Sequence, residues 1–223
     1  MRQRVVVGMT AFALVLCQPI RAVAQLKVAE VPQEAHDQAQ QSLPVLRQMV
    51  TPGTYKKLGF LSVDEATRAS LGTPLRVFMV QLDKLKAYQP ETKVEDMLVD
   101  TNAVRYAVTV DGQARTSVVM RQVEGKWQVA RVGRPLLTQA LSGVAQRLAT
   151  ESPAAAGATF EVEIPALNLY FIGRQVGSSV MLAPAVDDAR FDLKQGVQVE
   201  AQQLFSKIAP YAKELKTGPY ISD

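Results

Sequence analysis

The chain of 223 residues is 48% hydrophobic and 21% charged, with 13 glycines and 12 prolines. This composition is typical of a globular protein with a hydrophobic core, and it excludes a collagen, a disordered tail and a disulfide-rich scaffold. Aromatic residues make up only 6% of the chain, so we expect a core built mainly from Val, Leu, Ala and Met.

The first 24 residues have the three parts of a secretory signal peptide. Arg2 and Arg4 form a basic start, residues 5–17 are an apolar stretch, and residues 22–24 (Ala-Val-Ala) supply the small side chains that a signal peptidase recognises. The apolar stretch is too short to cross a bilayer core of about 30 Å. We therefore predict that residues 1–24 are cleaved and that the mature protein is periplasmic or secreted.

A lipoprotein is the alternative, because Cys17 could carry a lipid at the cleavage point. Leu16 precedes that cysteine where a small residue is expected, so the Ala-Val-Ala site is preferred. No later stretch reaches the roughly 18 apolar residues of a membrane helix, and no transmembrane segment is expected after cleavage.

Cleavage would change both the charge and the cysteine content. The full chain has a net charge of +4, and the leader carries three of its 25 basic residues and none of its 21 acidic ones, so the mature chain would have a net charge of +1. Nucleic-acid binding depends on clustered excess positive charge, and no nucleic-acid partner is expected. The single cysteine leaves with the leader, so we expect no disulfide.

Two helices are predicted in the first third of the chain. Apolar residues at helical spacing predict a helix over Gln33–Met49, which Pro44 should interrupt or kink. Residues 62–65 (Ser-Val-Asp-Glu) have the form of a capping box and predict a short helix over residues 62–71, closed by Gly72.

An antiparallel meander follows. Residues 75–80 read as a strand, and residues 104–110 alternate apolar and polar side chains as a half-buried strand does. A hairpin loop of residues 111–113 keeps one face apolar, because it opposes Val108 with Thr116, Tyr106 with Val118 and Val104 with Met120. A second hairpin turns at residues 124–125, and the meander is expected to have one wet face.

The last third begins with a helix from about Leu136 to Ala149 and a linker or surface loop over residues 151–159. Strands are predicted around residues 160–164, 167–172 and 180–182, the last two joined through Gly173 and Gly177. The chain ends in an amphipathic helix that Pro210 should break or bend, with inward side chains expected at Val197, Ala201, Leu204, Phe205, Ile208 and Leu215.

These elements predict an α+β protein, with an antiparallel β-meander sheet packed by helices on one face and amphipathic helices near both ends. We expect residues 25–150 to form the helix-plus-meander unit. Residues 160–223 are expected to form strands and a helix packed on that unit.

Few residues offer catalytic or metal-binding chemistry. The single histidine, His36, stands in a polar helical run and is interpreted as a solvated surface residue, so a Ser-His-Asp triad and a zinc site are not expected. Asp187, Asp188 and Asp192 could be read as a calcium loop, but the full ligand spacing is missing. Asp192 is interpreted instead as helping to start the last helix.

The remaining polar candidates are interpreted as surface. Glu161 and Glu163 are expected on the wet face of a strand. The basic residues of the meander are also expected mainly on its wet face: Arg105, Arg115, Arg121, Lys126 and Arg131. Binding of an anionic polymer or an acidic partner is the alternative interpretation of these residues. Trp127 is expected in the core. Residues 173–177 hold two glycines, which indicate a strand connection rather than a phosphate-binding loop.

No catalytic, cofactor-binding or metal-ligating residue is therefore predicted, and no cofactor is expected. The sequence favours a non-catalytic exported binding or accessory protein of the cell envelope or periplasm, with a protein or a small apolar ligand as its partner. The alternative is a carboxylate-dependent hydrolase acting on an envelope polymer. A cleft lined by carboxylates would favour the enzyme, and an apolar groove would favour binding.

Overall fold

The computed structural model describes Leu26, residues 28–151 and residues 159–215. The predicted signal peptide and residues 152–158 of the predicted linker lie outside these residues. Cleavage and export therefore stay predictions.

The described residues form five α-helices and eight strands. The helices are α1 (Gln33–Met49), α2 (Leu82–Lys86), α3 (Val94–Met97), α4 (Pro135–Glu151) and α5 (Ala201–Glu214). The strands are β1 (Ser70–Val80), β2 (Leu98–Val110), β3 (Gln113–Val123), β4 (Lys126–Gly133), β5 (Thr159–Ile164), β6 (Leu169–Val176), β7 (Ser179–Pro184) and β8 (Val199–Glu200).

All eight strands belong to one sheet, in the order β4-β3-β2-β1-β5-β6-β7-β8. Neighbouring strands are antiparallel except β1 and β5, which are parallel. Helix α4 lies in the connection from β4, at one end of the sheet, to β5 near its middle. The mixed α+β class predicted from the sequence is confirmed.

The helices lie on both faces of this sheet, so the prediction that they pack on one face is wrong. Helices α1 and α5 cover the face that carries Tyr106 and Phe160. Helix α4 covers the opposite face, where Leu141 packs with Leu75 and Ile172. Strand β6 explains the difference, because its nearly continuous apolar run is the pattern of a strand buried on both sides.

The predicted pairing of β2 with β3 is confirmed, with Val108 opposite Thr116, Tyr106 opposite Val118 and Val104 opposite Met120. The turn itself differs from the prediction. Val110 pairs with Gln113 around a two-residue turn, and a bulge at Arg115 restores the register. Asp111 and Gly112 form that turn with φ values of 51° and 78°, as a two-residue hairpin requires.

The helix predicted over residues 62–71 is only a 3-10 turn, Asp64–Arg68. Only half of the predicted capping box forms: the Glu65 N–H donates to Ser62 Oγ at 3.3 Å, but the Glu65 carboxylate accepts the Leu61 N–H, at 2.7 Å, instead of the Ser62 N–H. The chain leaves the turn because β1 begins at Ser70 and pairs with β2. Gly72, predicted as a helix cap, therefore lies inside β1.

Neither Pro44 nor Pro210 ends its helix, so a break at either proline is wrong, while the alternative of a kink or bend stays a prediction. Each proline removes one backbone donor, but buried side chains on both sides of it hold the helix against the sheet. Helix α5 starts at Ala201, after β8, and Asp192 instead closes a 3-10 turn with φ 48°. Val197 precedes α5 and is exposed, contrary to prediction.

Candidate ligand-binding cleft

The residues that the sequence offers for catalysis or metal binding do not assemble into a site. His36 is exposed on α1, with its ring centroid 5.8 Å from that of Tyr106. Asp188 pairs with Arg190, and Asp187 accepts the Gln195 N–H at 2.7 Å. Within residues 28–151 and 159–215, no three His, Cys, Asp or Glu side chains lie close enough to hold a metal ion.

Two structural interpretations hold and one changes. Trp127 lies in the core beneath α1, as predicted. Gly177 forms the turn between β6 and β7 with φ 59°, also as predicted. Gly173 is not in a connection: it lies within β6 opposite Phe160, whose ring fills the space where a side chain would stand.

Arg105 and Glu161 are buried, so their assignment to a wet face is wrong. Their side chains are 2% and 0% exposed. Arg105 Nε donates to Glu161 Oε2 at 2.6 Å, Nη2 to Glu163 Oε1 at 3.1 Å, and Nη1 to Ser117 Oγ at 3.0 Å. The Arg105 side chain therefore extends from β2 across β1 to β5. On β1, Leu75 pairs with Arg105 of β2 and Val77 pairs with Glu161 of β5.

The contacts extend toward solvent. Glu163 is 13% exposed, and its Oε1 lies 3.6 Å from an Nη atom of Arg131, which is 42% exposed. The Ser117 hydroxyl, which accepts from Arg105, donates in turn to the backbone carbonyl of Gly133 at 2.9 Å. We call Arg105, Ser117, Glu161, Glu163 and Arg131 the arginine–glutamate network.

Burial acts against the charged form of both Glu161 and Arg105, with opposite outcomes. Burial raises the pKa of Glu161 above its ordinary value, although Arg105 acts in the opposite direction. Burial opposes the charge on Arg105 too, but the two carboxylates outweigh it and its pKa is raised. Glu161 Oε1 is buried and finds no hydrogen-bond partner among the described residues.

A second pair corrects another assignment. Arg115, expected on a wet face, is half-buried and makes two hydrogen bonds to the Glu65 carboxylate, at 2.9 and 3.2 Å. Arg115 is the extra residue of the bulge between β2 and β3. Arg121 and Lys126 are exposed, as predicted.

A cavity of about 360 Å³ lies between α4 and the sheet, and it is one of several of similar volume on the described chain. Small side chains on both walls create the space, Ala107 and Thr109 from β2 and Ala145 and Ala149 from α4. Its full lining is Gly72, Thr73, Leu75, Arg105, Ala107, Thr109, Gly112, Ala114, Thr138, Leu141, Ser142, Ala145, Gln146, Ala149 and Thr159.

Arg105 is the one charged side chain among the described residues that line this cleft. The other polar groups are hydroxyls and the Gln146 amide. Glu161 and Glu163 do not line the cleft and are held by Arg105. The walls therefore offer apolar contact and hydrogen bonds, without a carboxylate at the surface that a ligand would touch.

The sequence contained one signal of this site that the alternation pattern obscured. Opposite charges occupy the same face on two strands, Arg105 on β2 and Glu161 and Glu163 on β5. Alternation alone makes such residues look solvated, and only a helix that crosses above them removes the water. The crossing of α4 was not predicted.

No family model matches this chain, and neither the curated proteins nor the solved structures give a significant match. Among the helices that the structure describes, none is long and apolar enough to cross a membrane.

Proposed function

We propose that the protein is a non-catalytic exported binding protein of the cell envelope or periplasm, and that the cleft beneath α4 holds a small, largely apolar ligand. The lining of the cleft carries this proposal. Pockets for small molecules are mostly apolar concavities of about 300–1,000 Å³ with a few oriented polar groups. The cleft beneath α4, at about 360 Å³ with Arg105 as the one charged residue of its lining, fits the small end of that range.

The hydrolase alternative has less support. A glycosidase needs two carboxyl groups facing the substrate across a cleft. Glu161 is fully buried and Glu163 nearly so, and each has an Arg105 nitrogen within 3.1 Å. A substrate in the cleft would meet the arginine before either carboxyl group.

The space also limits the ligand's size. One molecule of liquid water occupies about 30 Å³, so the cleft has room for roughly a dozen non-hydrogen atoms. A substituted naphthalene such as 2-isopropylnaphthalene is a suitable neutral hydrocarbon probe of this size.

Binding can be tested by titrating the mature protein with 2-isopropylnaphthalene and following backbone amide shifts by NMR. We expect shifts at the cleft residues of α4 and β2. The Ala145→Phe variant should abolish them by filling the cleft, whereas Thr150→Phe, at an exposed position of the same helix, should retain them. Equal binding by both variants would refute the cleft as the binding site, and unchanged spectra with 2-isopropylnaphthalene, 2-acetylnaphthalene and 2-naphthoate alike would refute the proposed function.

A further inference from the structure

We infer that the ligand of the cleft carries an uncharged hydrogen-bond acceptor, such as the carbonyl of a ketone, an ester or an amide, which Arg105 binds. This inference rests on the proposed function and specifies the chemistry of the same site.

Arg105 has hydrogen-bond donors that the described part of the protein does not use. A guanidinium has five N–H hydrogens. Three are used within the protein, on Glu161, Glu163 and Ser117. One hydrogen remains on each terminal nitrogen. The Arg105 side chain is only 2% exposed, but it is part of the cleft lining. An acceptor on the ligand would satisfy one of these hydrogens, and a pure hydrocarbon would leave it without a partner in a water-poor space.

The charges around Arg105 disfavour an anionic ligand. Two carboxyl groups already stand beside Arg105, at 2.6 and 3.1 Å. A ligand carboxylate would place a third next to the same guanidinium, and it would lose its hydration as it entered. Desolvating a charge is costly unless a free counter-charge meets it. The other cation of the arginine–glutamate network, Arg131, lies 3.6 Å from Glu163 and is not part of the cleft lining.

The other polar groups of the cleft lining are uncharged. The hydroxyls of Thr73, Thr109, Thr138, Ser142 and Thr159 and the Gln146 amide are neutral groups. They can bind neutral polar atoms, but they cannot balance an ionic head group. The lining therefore favours a neutral ligand with an apolar body.

Three probes with equal numbers of non-hydrogen atoms test the inference: 2-isopropylnaphthalene, 2-acetylnaphthalene and 2-naphthoate. We expect 2-acetylnaphthalene to bind about tenfold more tightly than the hydrocarbon, because the net gain from a hydrogen bond is about 1 kcal/mol and bonds to charged groups are stronger. Naphthoate should bind more weakly than the ketone at neutral pH.

Removing Arg105 alone would leave buried carboxyl groups and risk unfolding. The double variant Arg105→Met, Glu161→Leu removes both members of the ion pair at once. It leaves Glu163 beside Arg131. In this variant the preference for the ketone should disappear, while the hydrocarbon still binds.

Equal affinity for ketone and hydrocarbon in the wild type would overturn the inference and leave the proposed function intact. Tightest binding of naphthoate would also overturn it and would indicate an anionic ligand. A preference for the ketone that survives in the double variant would show that Arg105 is not the donor. Failure of all three probes to bind would overturn the proposed function itself.

Discussion

Arg105 on β2 and Glu161 on β5 are joined by a 2.6 Å ion pair although β1 lies between their strands. The pair links the N-terminal meander to the C-terminal strands on the face beneath α4. Its two charges are almost completely removed from water, so its energetic role depends on both partners being present.

Arg105→Met is expected to destabilise the protein by about 3–5 kcal/mol, the usual cost of leaving a buried charge without its partner. The loss should be smaller in acid, because Glu161, whose pKa is already raised by burial, can then take up a proton. Chemical denaturation at pH 5 and pH 8 measures both effects. Arg121→Met, at an exposed position, should change the stability by no more than about 0.5 kcal/mol. Equal losses in the two variants would show that the pair is not buried.

Glu65→Gln is expected to reduce stability at neutral pH and to have a smaller effect in acid. Burial acts to raise the pKa of Glu65, but the Arg115 hydrogen bonds and the Leu61 N–H outweigh it, and the pKa is lowered. A lowered pKa in the folded state means that the carboxylate stabilises the protein above its unfolded pKa, and that this contribution is lost as the pH falls through the folded pKa.

The measurement for Glu65 is the stability difference between wild type and variant from pH 7 down to pH 3. The difference should shrink on acidification. Arg115→Met, which removes the other member of the pair, should show the same trend. A constant difference for Glu65→Gln would contradict the ion pair with Arg115.

Tyr106→Phe is expected to leave stability unchanged or to raise it. The Tyr106 side chain is 0% exposed, and its hydroxyl has no hydrogen-bond partner within the described part of the chain. A buried unsatisfied polar group costs about 1–3 kcal/mol, which the variant would remove. Burial and the charge of Asp37 raise the pKa of Tyr106 to about 12. In an ultraviolet titration of the folded protein, Tyr106 should therefore ionise only near that pH.

Tyr88→Phe provides the matched comparison. The Tyr88 hydroxyl donates to the Gln202 carbonyl at 3.1 Å and lies 3.3 Å from Ser206 Oγ. Its removal should lower stability by about 1 kcal/mol in the same thermal or denaturant unfolding assay. A loss at Tyr106 as large as that at Tyr88 would indicate a partner for the Tyr106 hydroxyl.

Gly173→Ala and Gly143→Ala are expected to act in opposite directions. A Cβ atom at Gly173 would lie 2.4 Å from Phe160 Cε2, so the variant should cost about 1–3 kcal/mol through overpacking. Gly143 lies within α4, where a Cβ meets nothing within 4 Å, and alanine there should stabilise by up to about 1 kcal/mol. Adding Phe160→Leu to Gly173→Ala should recover part of the loss. Stabilisation by Gly173→Ala would disprove the packing.

The sequence was sufficient where local pattern decides structure. Alternation from Val104 to Val110 predicted the pairing of β2 with β3, and helical spacing predicted α1, α4 and α5. It failed where a distant segment decides the environment. Nothing local to Arg105 or Glu161 distinguishes a solvated charge from a buried ion pair, because the difference is made by α4 crossing above them.

The cleft was beyond local pattern for the same reason. Ala107 and Ala145 are ordinary small residues in their own segments, and they form a cavity only because α4 lies over β2. Arg115 illustrates a smaller failure, since it is the extra residue of a bulge and its side chain pairs with Glu65.

The parallel pairing of β1 with β5 also bears on the order in which the chain can acquire its structure. Strands β1 to β4 pair with sequence neighbours and can form early during synthesis, but β1 receives β5 only after residues 159–164 have been made. Until then β1 presents an unpaired edge, and such an edge invites pairing with other chains. Addition of the C-terminal strands would therefore cover the β1 edge, which is central in the finished sheet, and leave only β4 and the two-residue β8 as edge strands of the described sheet.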